Sequence, residues 1–161
     1  MSDNRPLIPI DEPCNWTAVD FSLAPKPNYL LDEAMIKEIE TAAEGILAEG
    51  RPHYEWRKTD FDLPVSSPTL AKAYADIEDG AGFALIGGWP VENHSYDMNI
   101  AAYGVIASHI GEIKIQNYEG DWIVNVINED KPYSNTSRGY KSADLLPFHS
   151  DGADISGLLG L

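Results

Sequence analysis

The residues of this sequence that could do chemistry are concentrated near its end, in segment 145–154. His149 and Asp151 stand two positions apart there, in a segment bounded by apolar residues. If the segment is a strand, the imidazole and the carboxylate project from one face and Ser150 from the other. One His and one carboxylate side by side are two of the three protein ligands of the facial site that binds ferrous iron. The sequence therefore predicts an iron(II) site whose third ligand, a second His, must come from elsewhere.

Other interpretations of the pair stay open. The simplest is a surface hydrogen bond between His149 and Asp151 with no catalytic role. A metal-dependent hydrolase would need further His or carboxylate ligands nearby, and none is evident. Ser150 does not complete a hydrolytic triad, because neighbours on a strand cannot stack as nucleophile, base and orienting group. Asp154 is at an odd offset from Asp151, on the opposite face of a continuing strand, and is predicted to be a turn residue.

The composition limits the class of protein. The 161 residues suffice for one domain with a core, and 43% of them are hydrophobic. The formal charge of -15, from 11 basic and 26 acidic residues, argues against nucleic acid and anionic membranes as partners. The single Cys14 excludes an internal disulfide and a multi-cysteine zinc site. No signal peptide or membrane span is evident, so we expect a cytoplasmic protein.

Residues 1–30 are rich in proline, which opposes both helix and ladder formation. We interpret this segment as an extended arm that packs on the body through Trp16 and Phe21. A disordered tail is the alternative. The remaining residues, 31–161, form the second predicted unit.

Three helices are predicted from apolar residues at helical spacing and from capping residues. The first spans about Asp32 to Glu49. The second begins with a cap and a first-turn proline at Ser67–Thr69, carries a stripe of Leu70, Tyr74 and Ile77, and ends at Gly80. The third runs from about Tyr96 to Ile110, with Ile100, Tyr103, Ile106 and Ile110 facing inward.

Strands are predicted in the segments 53–57, 60–63, 82–88, 112–117, 121–128 and 155–161. The glycines of segment 82–88 do not have the spacing of a nucleotide-binding loop. A polar loop is predicted over 129–144, whose Arg138, Tyr140 and Lys141 are solvated or contact an anionic substrate. Because segment 155–161 is apolar and nothing polar follows it, we expect the chain to be truncated within a core strand.

Three stretches resemble the taurine dioxygenase (TauD/TfdA-like) family of iron- and 2-oxoglutarate-dependent oxygenases. They are the segment Gly82–Pro90, the helix that ends at Ile110–Gly111, and the segment Leu146–Gly152 with its His-x-Asp motif. The likeness covers about residues 65–161.

This resemblance implies an α+β fold, the N-terminal half of a double-stranded β-helix (jelly roll) with flanking helices. It also implies that His149 and Asp151 bind Fe(II), with 2-oxoglutarate as cosubstrate. The reaction would be hydroxylation or oxidative cleavage of a small organic acid or amino acid.

The family's distal His and its 2-oxoglutarate-binding Arg lie in the second half of the domain and have no counterpart here. His53, His94 and His109 all precede the motif and are not assigned as the third ligand. We therefore expect little oxygenase activity from this chain alone. A non-catalytic pseudoenzyme fragment or interaction domain is the alternative.

Overall fold

A computed structural model describes residues 12–17, 28–127, 149 and 151–161 of the chain. Its elements, in chain order, are β1 (Tyr29–Leu30), α1 (Glu33–Glu49), two 3-10 helices (His53–Glu55 and Lys58–Asp60), α2 (Ser67–Glu78), β2 (Ile86–Gly87), a 3-10 helix (Val91–Asn93) and α3 (Tyr96–Ile110). The described part of the chain is thus predominantly helical. None of its helices is long and apolar enough to cross a membrane.

The predicted first and third helices are confirmed, and local capping explains their bounds. The Asp32 side chain accepts a hydrogen bond from the Met35 N–H (2.9 Å) at the start of α1. Gly50 ends that helix in the left-handed conformation with φ 65°. At α3, the Ser95 hydroxyl accepts from the Met98 N–H (3.2 Å).

The core lies mainly between α1 and α3, with α2 packed on α3. From α1 it takes Ile39, Ala43 and Ile46, all at most 2% exposed. α3 contributes chiefly small residues, and a Cβ added to Gly104 would overlap the Trp56 ring. This close approach explains why the buried side chains of α3 are small. Three larger residues that were predicted to face inward are only partly buried: Tyr103, Ile106 and Ile110.

The second helix is confirmed over Ser67–Glu78, but its predicted cap and stripe are wrong in part. The residue before it, Ser66, makes no side-chain cap hydrogen bond. Instead the Glu38 carboxylate of α1 accepts from the N–H groups of Val65 (2.8 Å) and Ser66 (2.7 Å). Ala73 is buried beside Leu70, while Tyr74 is 40% exposed. A carboxylate distant in sequence therefore satisfies amides at the start of α2.

The predicted strand 82–88 is reduced to the two residues of β2, which are partly buried. β2 pairs in parallel with β1, in the register Tyr29–Ile86 and Leu30–Gly87. Gly88, at φ 99°, lies against the Leu31 backbone, where a Cβ would come 2.8 Å from the Leu31 oxygen. This explains the glycine at the end of the strand.

The described part of the N-terminal segment packs on the turn before β2. The Trp16 indole N–H donates to the Ala81 oxygen (2.7 Å), and its ring meets Phe83 edge-on with centroids 5.5 Å apart. Phe21, the other aromatic residue predicted to anchor the arm, lies outside the described residues.

The strands predicted over 53–57 and 60–63 are wrong, because both segments contain 3-10 helices. Local backbone hydrogen bonds that span three residues form there instead of a ladder, for example from the Asp60 N–H to the Arg57 oxygen (2.9 Å). The Asp60 carboxylate also accepts from the Arg57 N–H (2.8 Å). An alternating pattern of apolar residues thus came from two tight turns rather than from a pleat.

No strand forms in the described residues 112–127 or 151–161, so the strands predicted in these segments are not observed there. A turn at Glu119–Gly120 lies within the first of these segments, with Gly120 at φ 89° and a hydrogen bond from the Gln116 N–H to the Asp121 oxygen (2.6 Å). An isolated two-stranded hairpin is marginal in water, which explains why the ladder ends after one bond. The jelly roll itself stays a prediction.

Candidate functional site

The two predicted metal ligands lie side by side. The Nε2 atom of His149 is 3.5 Å from the Oδ1 atom of Asp151. Both residues stand in irregular backbone rather than in the predicted strand. Their proximity therefore does not come from the period-two alternation of a strand. The intervening Ser150, like Arg138, Tyr140 and Lys141, lies outside the described residues.

A third side chain holds the carboxylate. The Ser156 hydroxyl donates a hydrogen bond to the Oδ2 atom of Asp151 (2.7 Å). One carboxylate oxygen thus accepts from Ser156 while the other faces His149, which fixes the rotation of the carboxylate group. Sequence reasoning missed Ser156, because it placed this residue inside a predicted core strand. A hydroxyl five residues after a candidate ligand carried no recognisable signal.

The segment after the pair lies against α3. A Cβ added to Gly157 would come 2.7 Å from the Tyr103 hydroxyl oxygen, so the backbone passes close to that side chain. Tyr103 is half-buried, and burial raises the pKa of its phenol. The helical body, formed by α1, α2 and α3, therefore positions the segment that follows Asp151. Asp154, predicted to be a turn residue, lies in a bend.

The spacing of the two donor atoms fits one metal ion. Ligands about 2.1 Å from an ion are about 3 Å apart at a right angle and about 4.2 Å apart when opposite. The observed 3.5 Å falls between these limits. However, the His149 and Asp151 side chains are 52% and 56% exposed, and no cluster of three potential ligands occurs among the described residues. The pair supplies two donors and is open to solvent on one side.

The other histidines lie in the helical body, each beside a neighbouring side chain or carbonyl. His53 meets the Trp56 ring edge-on, with centroids 4.6 Å apart. His94 stacks on Trp89 at the same separation, and its Nε2 atom is 3.4 Å from a Glu40 carboxylate oxygen. His109 contacts its own helix backbone, with Nδ1 3.1 Å from the Val105 oxygen.

The Trp89–His94 stack has a structural role. The Trp89 indole N–H donates to the Asn99 side-chain oxygen (2.7 Å), and the Asn99 amide donates to the Val91 oxygen (3.0 Å). These bonds join the 3-10 turn Val91–Asn93 to the first turns of α3. They account for Trp89 without any ligand, and they fix the entry into the helix that Gly157 later contacts.

No protein-family model matches the sequence. The chain is similar to FR-33289 synthase from Streptomyces rubellomurinus (strain ATCC 31215), at 32% identity over 148 residues. Those residues are 91% of this chain and 44% of the synthase, so the chain spans less than half the length of that relative. That relative is named as a synthase.

Proposed function

We propose that this chain is part of an iron(II)- and 2-oxoglutarate-dependent dioxygenase of the TauD/TfdA type. His149 and Asp151 are two of its metal ligands. The observation that carries the proposal is the 3.5 Å approach of the His149 Nε2 atom to the Asp151 Oδ1 atom, with the carboxylate held by Ser156. The similarity to an enzyme supports it at a coarser level. The substrate is a small organic acid or amino acid.

Each side chain has a distinct part in this proposal. The imidazole of His149 supplies a neutral nitrogen donor, and Asp151 supplies a negative oxygen donor that offsets part of the ion's charge. Ser156 orients the carboxylate, as residues behind a metal ligand commonly do. Bound iron, with 2-oxoglutarate, would supply the oxidising power that no protein side chain has. The jelly roll would place these donors in a sheltered site.

The chain alone is expected to lack oxygenase turnover. The described residues offer two donors where the facial site needs three, and both are about half exposed. A catalytic centre has to exclude bulk water, and here the exposed side of the pair would have to be covered. Release of succinate from 2-oxoglutarate by the purified chain with Fe(II) and ascorbate would contradict this expectation.

Metal binding tests the proposal without requiring turnover. We expect anaerobic titration of the purified chain with Fe(II) to show weak binding of one ion per chain. Both His149→Ala and Asp151→Ala should abolish it, because neither donor holds the ion alone. His53→Ala and Asp154→Asn are matched controls that remove a His and a carboxylate outside the pair, and both should retain binding.

Two results would overturn the proposal. One is the absence of any Fe(II) binding by the unsubstituted chain above that of the His149→Ala/Asp151→Ala double variant. The other is an equal loss of binding in the ligand variants and in the two controls. Either result would leave the pair as a surface ion pair and would favour a non-catalytic interaction domain.

A further inference from the structure

A second group of polar side chains lines a cleft of about 510 Å³ at the C-terminal end of α3. Its polar wall consists of Arg57, Lys58, Thr59, Tyr74, Ser108, His109 and Glu112. Neither His149 nor Asp151 lines it. The volume lies in the range of small-molecule sites. This cleft is therefore separate from the proposed iron ligands and has no part in the function proposed above.

His109 offers one unused nitrogen to this cleft. The residue is 8% exposed, and its Nδ1 atom is 3.1 Å from the Val105 oxygen and 3.4 Å from the Ser108 hydroxyl. A carbonyl oxygen only accepts, so Nδ1 carries the proton in the neutral ring and Nε2 carries the lone pair. Within the described part of the chain, Nε2 has no hydrogen-bond partner. It is free to accept a bond from a ligand.

Burial favours the neutral form of the His109 ring. Burial has the largest effect on its pKa and lowers it. The hydrogen bond to the Val105 backbone raises the pKa, the Lys58 charge lowers it and the Glu38 charge raises it. The net shift of the pKa is downward. Glu112, in the cleft wall, is paired with Lys114 (2.8 Å), and the hydrogen bond and charge of Lys114 lower the pKa of its carboxyl, with a smaller effect from the Arg57 charge. At neutral pH the ring is therefore an acceptor beside a cation.

Lys58 supplies that cation. Its ammonium makes no salt bridge with a described residue, in a chain whose net charge is -15. Its charge is close enough to His109 to lower the pKa of the imidazole. The cleft thus combines a positive group for an anion, a nitrogen for a proton donor, and the Thr59 hydroxyl in its wall. The Ser108 hydroxyl already donates to the Val105 oxygen (2.8 Å).

We propose that this cleft binds a small oxyanion, a carboxylate or a phosphate, that also carries an O–H group. Lys58 pairs with the negative oxygens, and the Nε2 atom of His109 accepts the O–H. A 2-hydroxycarboxylate and hydrogen phosphate both have this chemistry. A simple carboxylate lacks the O–H group and leaves Nε2 unpaired.

The test is an NMR titration of the full chain that follows the His109 ring and the amides of residues 108–113. The probes are inorganic phosphate, lactate and propionate, at constant ionic strength and pH 7.5. We expect a saturable change with phosphate, with lactate or with both. If the ligand is a 2-hydroxycarboxylate, propionate should bind about tenfold more weakly than lactate. Propionate lacks the hydroxyl of lactate, so one hydrogen bond is lost. Saturation by phosphate alone would identify a phosphate site.

Two lysine variants distinguish anion binding in the cleft from nonspecific attraction of anions to positive charge. Lys58→Met should weaken binding by about tenfold or more, as expected when one charged partner is removed. Lys72→Met removes the same charge from an exposed position of α2 outside the cleft, and binding should change less than about twofold. Absence of saturation with both phosphate and lactate would overturn the proposal, as would an equal loss in the two lysine variants.

Discussion

Apolar side chains are buried in the core of the helical body but largely exposed in the segments that follow α3. In the body, Ile39, Leu63 and Leu70 are at most 2% exposed. In the segments that follow α3, Ile115, Val126 and Leu158 are 59%, 63% and 87% exposed. Helices complete their backbone hydrogen bonds within themselves, whereas extended segments need neighbouring strands. The core of the body is therefore packed by residues of this chain, while the segments that follow α3 have no strand partners among the described residues.

The largest effect expected from this contrast is on core packing. Leu70→Ala should lower the free energy of unfolding by about 2–5 kcal/mol, because it leaves a cavity beside α3. The matched substitution Leu158→Ala should change it by less than about 0.5 kcal/mol, since that side chain is 87% exposed. Urea denaturation of both variants checks this, and comparable losses would show that the C-terminal segment is packed as tightly as the body.

Substitutions at two glycines test how α1 and α3 pack. Gly104→Ala should destabilise the protein by about 1–3 kcal/mol, because the added methyl group overlaps the Trp56 ring. Gly45→Ala, within α1, has open space around the new methyl group and should stabilise the protein by about 0.5–1 kcal/mol. Thermal melts of the two variants should move in opposite directions. A shift of both in the same direction would contradict the packing of α1 and α3 described above.

The Glu38 cap should make stability depend on pH. Burial raises the pKa of Glu38, but the Ser66 hydroxyl, the two backbone N–H groups of Val65 and Ser66, and the His109 charge together lower it below 4.5. A lowered pKa means stability that is present above pH 4.5 and lost as the pH falls through the folded value. At pH 7, Glu38→Gln should cost about 1 kcal/mol.

The cost of Glu38→Gln should shrink as the solution is acidified below about pH 4.5, where wild-type Glu38 takes up a proton. The exposed Glu44→Gln on the same helix should cost less than about 0.5 kcal/mol at every pH. Urea denaturation at several pH values gives both curves. A cost that is independent of pH would rule out the carboxylate as the cap.

The smallest effect concerns the candidate site. Ser156→Ala removes the hydroxyl that holds Asp151, and we expect it to weaken Fe(II) binding by about tenfold while leaving the unfolding free energy within about 0.5 kcal/mol. Ser156→Thr retains a hydroxyl and should restore part of the affinity. Equal affinity in the alanine variant and the unsubstituted chain would show that Ser156 does not orient the carboxylate.

The parts of the fold that could be predicted from the sequence depend on neighbouring residues. Asp32, Gly50 and Ser95 act within a few positions of the helix ends they define, so α1 and α3 were predicted nearly to the residue. Glu38 acts on amides 27 and 28 residues away, and no local pattern indicates it. The segment 53–63 was taken for strands because alternation alone does not distinguish a pleat from successive 3-10 turns.

For the candidate site, the sequence indicated the two proposed ligands but not their setting. A His-x-Asp motif can be read from the chain, whereas the burial of its side chains depends on residues that pack around it. His109 was set aside only because it precedes the motif. Its unused nitrogen depends on the carbonyl that its Nδ1 atom faces, and only the structure shows this.

The most direct test of the proposed His149–Asp151 metal site is the location of a bound metal ion. Mn(II) added to the ¹⁵N-labelled chain broadens the amide signals nearest to it, and it prefers the same oxygen and nitrogen donors. We expect broadening to be strongest at His149, Asp151 and Ser156, to extend to Tyr103, and to disappear in the His149→Ala/Asp151→Ala double variant. Broadening centred on the acidic helix α1, or unchanged in the double variant, would contradict it.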